Sequence, residues 1–121
     1  MMPYERLDTW SRSHELVILI YRITGSWPKN ELYGLTSQTR RSAFSIPLNI
    51  AEGAAKKGSR EFRRFLDMSL GSFSEVTYCL KLARDLGYLT QDDWEQVDKT
   101  RSSVGKLLWG LYQSIARSSK S

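Results

Sequence analysis

Positive charge is concentrated in one stretch of this chain, between residues 40 and 64. The stretch holds seven basic residues against two acidic ones, whereas the other 96 residues carry eleven of each sign, so it accounts for the whole net charge of +5. A local excess of this kind creates a positive potential that attracts polyanions. The predicted chemistry is ionic binding of phosphate groups, with nucleic acid as the leading partner. The basic residues are Arg40, Arg41, Lys56, Lys57, Arg60, Arg63 and Arg64.

The segment from residue 56 to 64 has the clearer pattern for an anion site. If Ser59 caps a helix, the three arginines that follow lie in its opening turns, where the helix dipole is already positive. Only Glu61 supplies the negative charge that a helix start favours, so we infer that an external anion supplies more. Pairing with a neighbour's carboxylates, or simple solvation, is the alternative. Arg40 and Arg41 lie roughly 25 Å from Lys57, within reach of the same duplex.

Motifs for base reading or catalysis do not accompany this charge. Zinc-ligand spacing, an aromatic sheet signature and a clear helix-turn-helix are missing, which favours binding to backbone and shape rather than to sequence. His14 is the one histidine and Cys79 the one cysteine, and we expect a packed imidazole and a small buried thiol. Because no nucleophile–base pair or metal constellation is legible, we predict a protein that is not an enzyme and needs no cofactor.

Four segments with helical spacing of apolar residues must position these side chains. The predicted helices cover residues 9–26, 35–55, 60–87 and 91–117, and Pro28 and Gly58 end the first two. Spacing of three and four continues to Gly87 in the third helix and includes Val97, Val104 and Leu108 in the fourth. Thr90, with Asp93 three residues later, is the predicted cap of the fourth helix. Helices of this length joined by short turns favour an all-α, antiparallel up-down-up-down four-helix bundle in one domain, residues 1–121. No apolar run is long enough to span a membrane and no signal pattern is present, so we expect a cytoplasmic protein.

A second apolar stripe on the first and fourth helices predicts self-association, because a helix that faces a single core does not need one. Its members are Trp10, His14, Val17 and Tyr21 on the first helix and Trp109, Tyr112 and Ala116 on the fourth. The alternative is that these aromatic side chains are merely half exposed. A stripe of neutral polar residues on the second helix is either a solvated face or a hydrogen-bonded network between subunits. The residues assigned to a subunit interface are Trp10, His14, Tyr21, Gln38, Asn49, Trp109 and Tyr112.

The second helix also carries a family resemblance. Residues 34–38 read GLTSQ, Arg40-Arg41 follow, and residues 45–53 read SIPLNIAEG. This run resembles the signature of the bacterial four-helix bundle proteins, a family that includes proteins encoded in intervening sequences of 23S ribosomal RNA genes. The likeness continues through Glu61-Phe62 to Leu86-Gly87-Tyr88-Leu89, nearly the whole chain.

The resemblance implies a barrel-like homopentamer of antiparallel bundles with a basic surface. Relatives of this family include the accessory protein of diversity-generating retroelements, which associates with a reverse transcriptase and with nucleic acid. Two functions are therefore expected. The first is an oligomeric scaffold that binds structured RNA or DNA without sequence specificity, and the second is an adaptor whose basic face docks a nucleic-acid enzyme such as a reverse transcriptase.

Overall fold

The computed structural model describes residues 2–56 and 58–119, except for the side chain of Ser119. Within these residues the fold has four α-helices and no strand, as predicted: α1 (Asp8–Thr24), α2 (Leu35–Ala54), α3 (Ser59–Asp85) and α4 (Gln91–Ser119). Short 3₁₀ helices, Pro3–Arg6 and Lys29–Glu31, precede α1 and α2. The predicted helix boundaries differ from these by at most two residues. None of the described helices is long and apolar enough to cross a membrane.

Each helix packs against the next along the chain, and α4 packs back against α1. Thr9 at the start of α1 donates to the carbonyl of Leu107 late in α4 (3.3 Å), whereas Arg22 near the end of α1 donates to Gln96 early in α4 (2.7 Å). The two helices are therefore antiparallel and the bundle is closed. The end that carries the α2–α3 connection is called the junction end, and the opposite end, with the other two connections, the loop end.

The core follows the predicted spacing on α3 and α4. Its fully buried members on these helices are Leu66, Val76, Leu80, Ala83, Val97, Val104 and Leu108. Val17, expected on the outer stripe of α1, is instead 8% exposed and belongs to the core cluster. That expectation was wrong because α1 lies between α2 and α4 and buries a broader face than a single stripe.

The α2–α3 pair packs most extensively of all. Gly53 permits the close approach, since a Cβ atom there would lie 2.8 Å from Cβ of Phe65. Ser69 on α3 donates to the carbonyl of Ile46 on α2 (3.0 Å), immediately before Pro47. α2 remains continuous through Pro47 even though proline lacks the amide that would donate within the helix. The junction end is therefore held by a tight helix pair.

The ends of α3 correct two predictions. Ser59 is the first helical residue, and Gly58 occupies the N-cap position with φ of 87° and no side-chain cap. The short connection from α2 requires this left-handed turn, which glycine adopts at little cost. Gly87, predicted in the α3 seam, lies beyond the helix with φ of 81°, and bonds from Gly87 and Tyr88 back to Arg84 and Ala83 close a Schellman motif. The predicted cap of α4 is confirmed, because Asp93 N–H donates to Thr90 Oγ1 (3.1 Å).

Candidate nucleic-acid interface

The predicted phosphate-binding residues separate into two groups. Lys56, Arg60, Arg63 and Arg64 lie at the junction end, where α2 gives way to α3. Lys57 lies outside the described residues. Arg40 and Arg41 lie in the first two turns of α2, roughly 20 Å along the helix axis from Lys56. Within one chain, the described members of this set form two sites of positive charge rather than one patch.

The first turns of α3 build a shallow depression at the junction end. Its volume is about 200 Å³, and its lining residues are Arg60, Glu61, Arg63, Arg64 and Asp67. Spacing of three and four residues places these side chains along one side of the helix. The first amides of α3 receive no side-chain cap, because the residue before the helix is Gly58. The depression therefore combines three guanidinium groups with an uncapped helix start, as anion binding favours.

Phe65 organises two of the cations at this end. The Nζ atom of Lys56 lies over its ring, 5.5 Å from the centroid, and the guanidinium carbon of Arg64 lies over it at 4.6 Å. Phe65 as a whole is only 7% exposed. Sequence reasoning missed Phe65 as part of the site. No local signal marked it, since neighbouring side chains of a helix do not normally face each other and Lys56 is nine positions away.

Glu61 is ion-paired with Arg64. Two nitrogens of the guanidinium donate to the two carboxylate oxygens, at 3.3 and 3.2 Å. The hydrogen bond from Arg64 and then its charge hold the pKa of Glu61 below its ordinary value, with smaller contributions from Lys56 and Arg60. Both side chains are substantially exposed, so water and salt weaken this pair. An incoming phosphate could compete for the same two donors.

Arg40 makes its contacts inside the chain. Its Nε atom donates to the Thr24 hydroxyl (2.8 Å), Nη2 donates to the Tyr21 carbonyl (3.5 Å), and the guanidinium lies over the Tyr21 ring at 4.8 Å. These contacts join α2 to the last turn of α1, where a cation is favourable. The neighbouring Arg41 is exposed and faces a different groove, described below.

Comparison with known proteins decides the family. A sequence profile described as "23S rRNA-intervening sequence protein" matches residues 5–110. The chain belongs to this family. The matched region includes the junction end and the arginines of α2. No curated protein matches the sequence.

The fold also has a solved counterpart. It is similar to the crystal structure of a protein of unknown function from the S23 ribosomal protein family of Bacteroides thetaiotaomicron VPI-5482. The TM-score is 0.79 at 23% identity, and the alignment covers 87% of this chain and 95% of that chain. At this identity the likeness is evidence for the fold alone.

Four of the five aromatic residues assigned to a subunit interface form two stacks, and Tyr21 instead lies under Arg40. Trp10 stacks on His14 with ring centroids 5.2 Å apart, and Trp109 stacks on Tyr112 at 5.5 Å. Trp10 and Tyr112 also pack against the core and are only partly exposed. Trp109, 51% exposed, and Tyr21 are the members that present most apolar surface to solvent. Their role in assembly remains a prediction.

The polar residues assigned to the same interface have partners within the chain. Gln38 donates to Glu75 of α3 (2.8 Å), and Asn49 donates to the Ser45 carbonyl (2.8 Å) and hydroxyl (3.0 Å). Ser42 donates to carbonyls one turn back in α2. The hydrogen bonds of this stripe are thus made within and between α2 and α3, and a network between subunits remains a prediction.

Sequence reasoning missed a groove on the outer side of α2 and α3, in which two exposed apolar residues lie among polar ones. Phe44 and Leu48 are 51% and 41% exposed. They line a groove of about 480 Å³ together with Gln38, Arg41, Ser42, Ser45, Ser72 and Glu75. The signal was the pair of apolar residues four apart on α2, off the buried stripe of Ala43, Ile46 and Ile50.

Proposed function

We propose that this protein is a non-catalytic oligomeric scaffold that binds the backbone of structured RNA or DNA through its junction end, without sequence specificity. One observation carries the proposal. Four described cations, Lys56, Arg60, Arg63 and Arg64, gather at one end of the bundle around two carboxylates, Glu61 and Asp67. Cations that contact the backbone fix affinity and register but read no bases, which is why we expect no sequence specificity.

RNA is the first nucleic acid to test. The description of the family refers to an intervening sequence in 23S ribosomal RNA, and that wording supports RNA over other polyanions. The cations belong to α3 and to the connection before it. A site at one end of a bundle can meet an extended ligand without any change in the core.

The surroundings of the histidine and the cysteine support binding rather than catalysis. The imidazole of His14 is exposed and stacks on Trp10. The thiol of Cys79 is buried, and burial raises its pKa, which keeps it protonated and a poor nucleophile. A catalytic role would require a nucleophile and a base within reach of one another.

The test is a titration of a short RNA duplex at several salt concentrations. The variant replaces Lys56, Lys57, Arg60, Arg63 and Arg64 by Gln. We expect it to bind RNA and DNA of every sequence more weakly than the wild type, by about the same factor. The slope of log affinity against log salt should flatten by roughly 0.7 to 0.9 for each phosphate contact removed. Circular dichroism of the variant must show an intact helical fold. A folded variant with unchanged affinity and slope would refute the assignment.

Self-association, with five subunits as the family resemblance implies, is the second part of the proposal. Support comes from Trp109 and Tyr21, which are large, apolar and about half exposed. Light scattering at micromolar concentration is expected to show a species several times heavier than the 14.0 kDa chain. Trp109→Glu is expected to lower that mass while leaving the thermal midpoint of an isolated subunit nearly unchanged. A monomeric wild-type protein would exclude a scaffold built by self-association.

A protein-docking adaptor is the second candidate function, and the groove at Phe44 and Leu48 favours it. Exposed apolar side chains beside Arg41 and Glu75 are typical of a protein contact. The test is co-expression with a nucleic-acid enzyme, such as a reverse transcriptase, where one is encoded beside the gene for this protein. Phe44→Ser should then abolish the complex without changing RNA affinity. If Phe44→Ser leaves the complex intact, the groove is not the docking site.

A further inference from the structure

Phe65 has a fixed place at the junction end. It lies in the second turn of α3 and is 7% exposed. The main chain of α2 approaches it so closely that a Cβ atom at Gly53 would lie 2.8 Å from its own Cβ. Two helices therefore hold this ring, and it cannot move without disturbing their packing.

The two cations over this ring come from different segments. Lys56 lies in the connection after α2, whereas Arg64 belongs to α3. With distances of 5.5 and 4.6 Å to one ring centroid, their charged centres lie within about 10.1 Å of each other. Long side chains of this type are otherwise mobile, and ordering them on binding costs free energy. Cation–ring contacts supply part of that order before any ligand arrives.

We propose that Phe65 is a positioning residue, whose ring holds Lys56 and Arg64 in place before they bind the backbone of one nucleic-acid strand. These two cations are called the preset pair. The assignment depends on the nucleic-acid binding proposed above. Successive phosphates of a strand advance about 3.4 Å along a duplex axis, so a pair this close can reach one phosphate or its near neighbours. Phe65 itself contacts no phosphate and acts through the two cations.

Phe65→Leu tests this role because it keeps an apolar side chain at a buried position and removes the ring face. The number of cations is unchanged, so the salt slope for a 20-base-pair RNA duplex should stay the same. Affinity should fall about three- to tenfold, because the pair must now be ordered on binding. Phe65→Tyr, which retains the ring, should restore affinity to within about twofold of the wild type. Loss of folded protein would also lower apparent affinity at an unchanged slope, so circular dichroism must show that Phe65→Leu is folded.

Phe73→Leu is the matched control. Like Phe65, Phe73 is a phenylalanine of α3 with an arginine over its ring, Arg101 at 5.8 Å, but it is only partly buried and lies away from the junction end against Gly105. Urea unfolding of both Leu variants reports the stability change, and only Phe65→Leu should lower RNA affinity. Equal affinity losses in the two variants, or none in a folded Phe65→Leu, would overturn the proposal.

The double variant Lys56→Gln/Arg64→Gln tests nucleic-acid binding by these cations separately from the positioning role of Phe65. If it leaves affinity and salt slope unchanged, the binding assignment for these two cations fails together with the role of Phe65. If it weakens binding and Phe65→Leu does not, only the role of Phe65 fails. If Phe65→Leu does not fold, NMR of the wild-type protein provides the test. Upfield ring-current shifts of the Lys56 and Arg64 methylene protons that persist when RNA is bound would support the preset pair. Random-coil shifts of these protons would refute it.

Discussion

The two groups of basic residues at opposite ends of α2 place similar side chains in different surroundings. At the loop end, Arg40 donates to the Thr24 hydroxyl and the Tyr21 carbonyl and lies over the Tyr21 ring. At the junction end, Lys56 and Arg64 share the ring of Phe65, and Arg64 pairs with the exposed Glu61. Arg40 therefore holds two helices together, whereas the junction cations remain able to meet a ligand.

The two ends of α2 differ in the contacts that a ligand would have to replace. A phosphate at Arg40 would have to compete with bonds that join α2 to the end of α1, so the loss of those bonds would lower its affinity. A phosphate at Arg64 would exchange one exposed carboxylate for another anion, at little cost. The number of basic residues in a sequence is therefore a poor measure of the positive charge available to a partner. The contacts that each cation makes within the chain determine whether it can bind a ligand.

Gly53→Ala is expected to have the largest effect. The added Cβ meets Cβ of Phe65 at 2.8 Å, an atom anchored to the α3 backbone, so the helices must separate at the junction end. Overpacking of this kind costs about 1 to 3 kcal/mol, and RNA affinity should fall as Phe65 is displaced. Chemical denaturation and RNA titration measure the two effects.

Gly105→Ala is the control for that prediction. Its added Cβ meets Cζ of Phe73 at 2.7 Å, the far end of a ring that can swing away. Stability should change by less than about 1 kcal/mol, since alanine also favours the helix. RNA affinity should not change, because Phe73 holds no junction cation. Equal destabilisation by both substitutions would mean that α2 and α3 pack no more rigidly at Gly53 than elsewhere.

Arg40→Gln and Arg60→Gln compare the two ends directly. Arg40→Gln removes the contacts with Thr24 and Tyr21 and should cost about 1 kcal/mol, with RNA affinity changed less than about twofold. Arg60→Gln should leave stability within about 0.5 kcal/mol and flatten the salt slope by roughly 0.7 to 0.9. Thermal unfolding and salt-dependent titrations provide both readouts. The reverse pattern would show that the loop end is the binding end.

The sequence was sufficient for the helices because periodic apolar spacing and turn residues are local signals. Buried Val97, Val104 and Leu108 lie where the spacing on α4 predicted them. The Schellman turn at Gly87 depends on where α3 ends, and periodicity does not mark that residue sharply. Ser59 failed as a cap because the short connection requires the left-handed Gly58 instead.

The candidate site could be predicted only as a list of charges. Lys56 and Arg64 are eight positions apart, and nothing local indicates that one ring gathers both. Likewise, the contacts of Arg40 depend on how α1 meets α2. Such pairings are tertiary, so they follow from packing rather than from composition. Phe44 and Leu48 were missed for a related reason, since an apolar residue is assigned to a core unless the fold shows otherwise.

Glu61→Gln should raise RNA affinity by roughly threefold. The carboxylate occupies the two donors of Arg64 and repels phosphate, and the gain is small because water and salt screen this exposed ion pair. Asp67→Asn is the matched control, since Asp67 lines the same depression without a hydrogen bond to Arg64. Its gain should be smaller, less than about twofold. Equal gains would indicate a general charge effect, and no gain from Glu61→Gln would mean that Arg64 does not meet phosphate.

The smallest expected effect is a change in the pKa of Glu61 when RNA binds. Arg64 holds this pKa below its ordinary value, so the pair is fully formed above the ordinary value and is lost as pH falls through the lowered one. A phosphate that takes Arg64 and adds negative charge must raise the pKa of Glu61. By linkage, RNA affinity should then rise as pH falls between the bound and free values. Carboxyl-carbon NMR titration with and without an RNA duplex measures the shift, and Arg64→Gln should raise the free-state pKa toward its ordinary value. A pKa that RNA leaves unchanged would place the bound backbone away from Arg64.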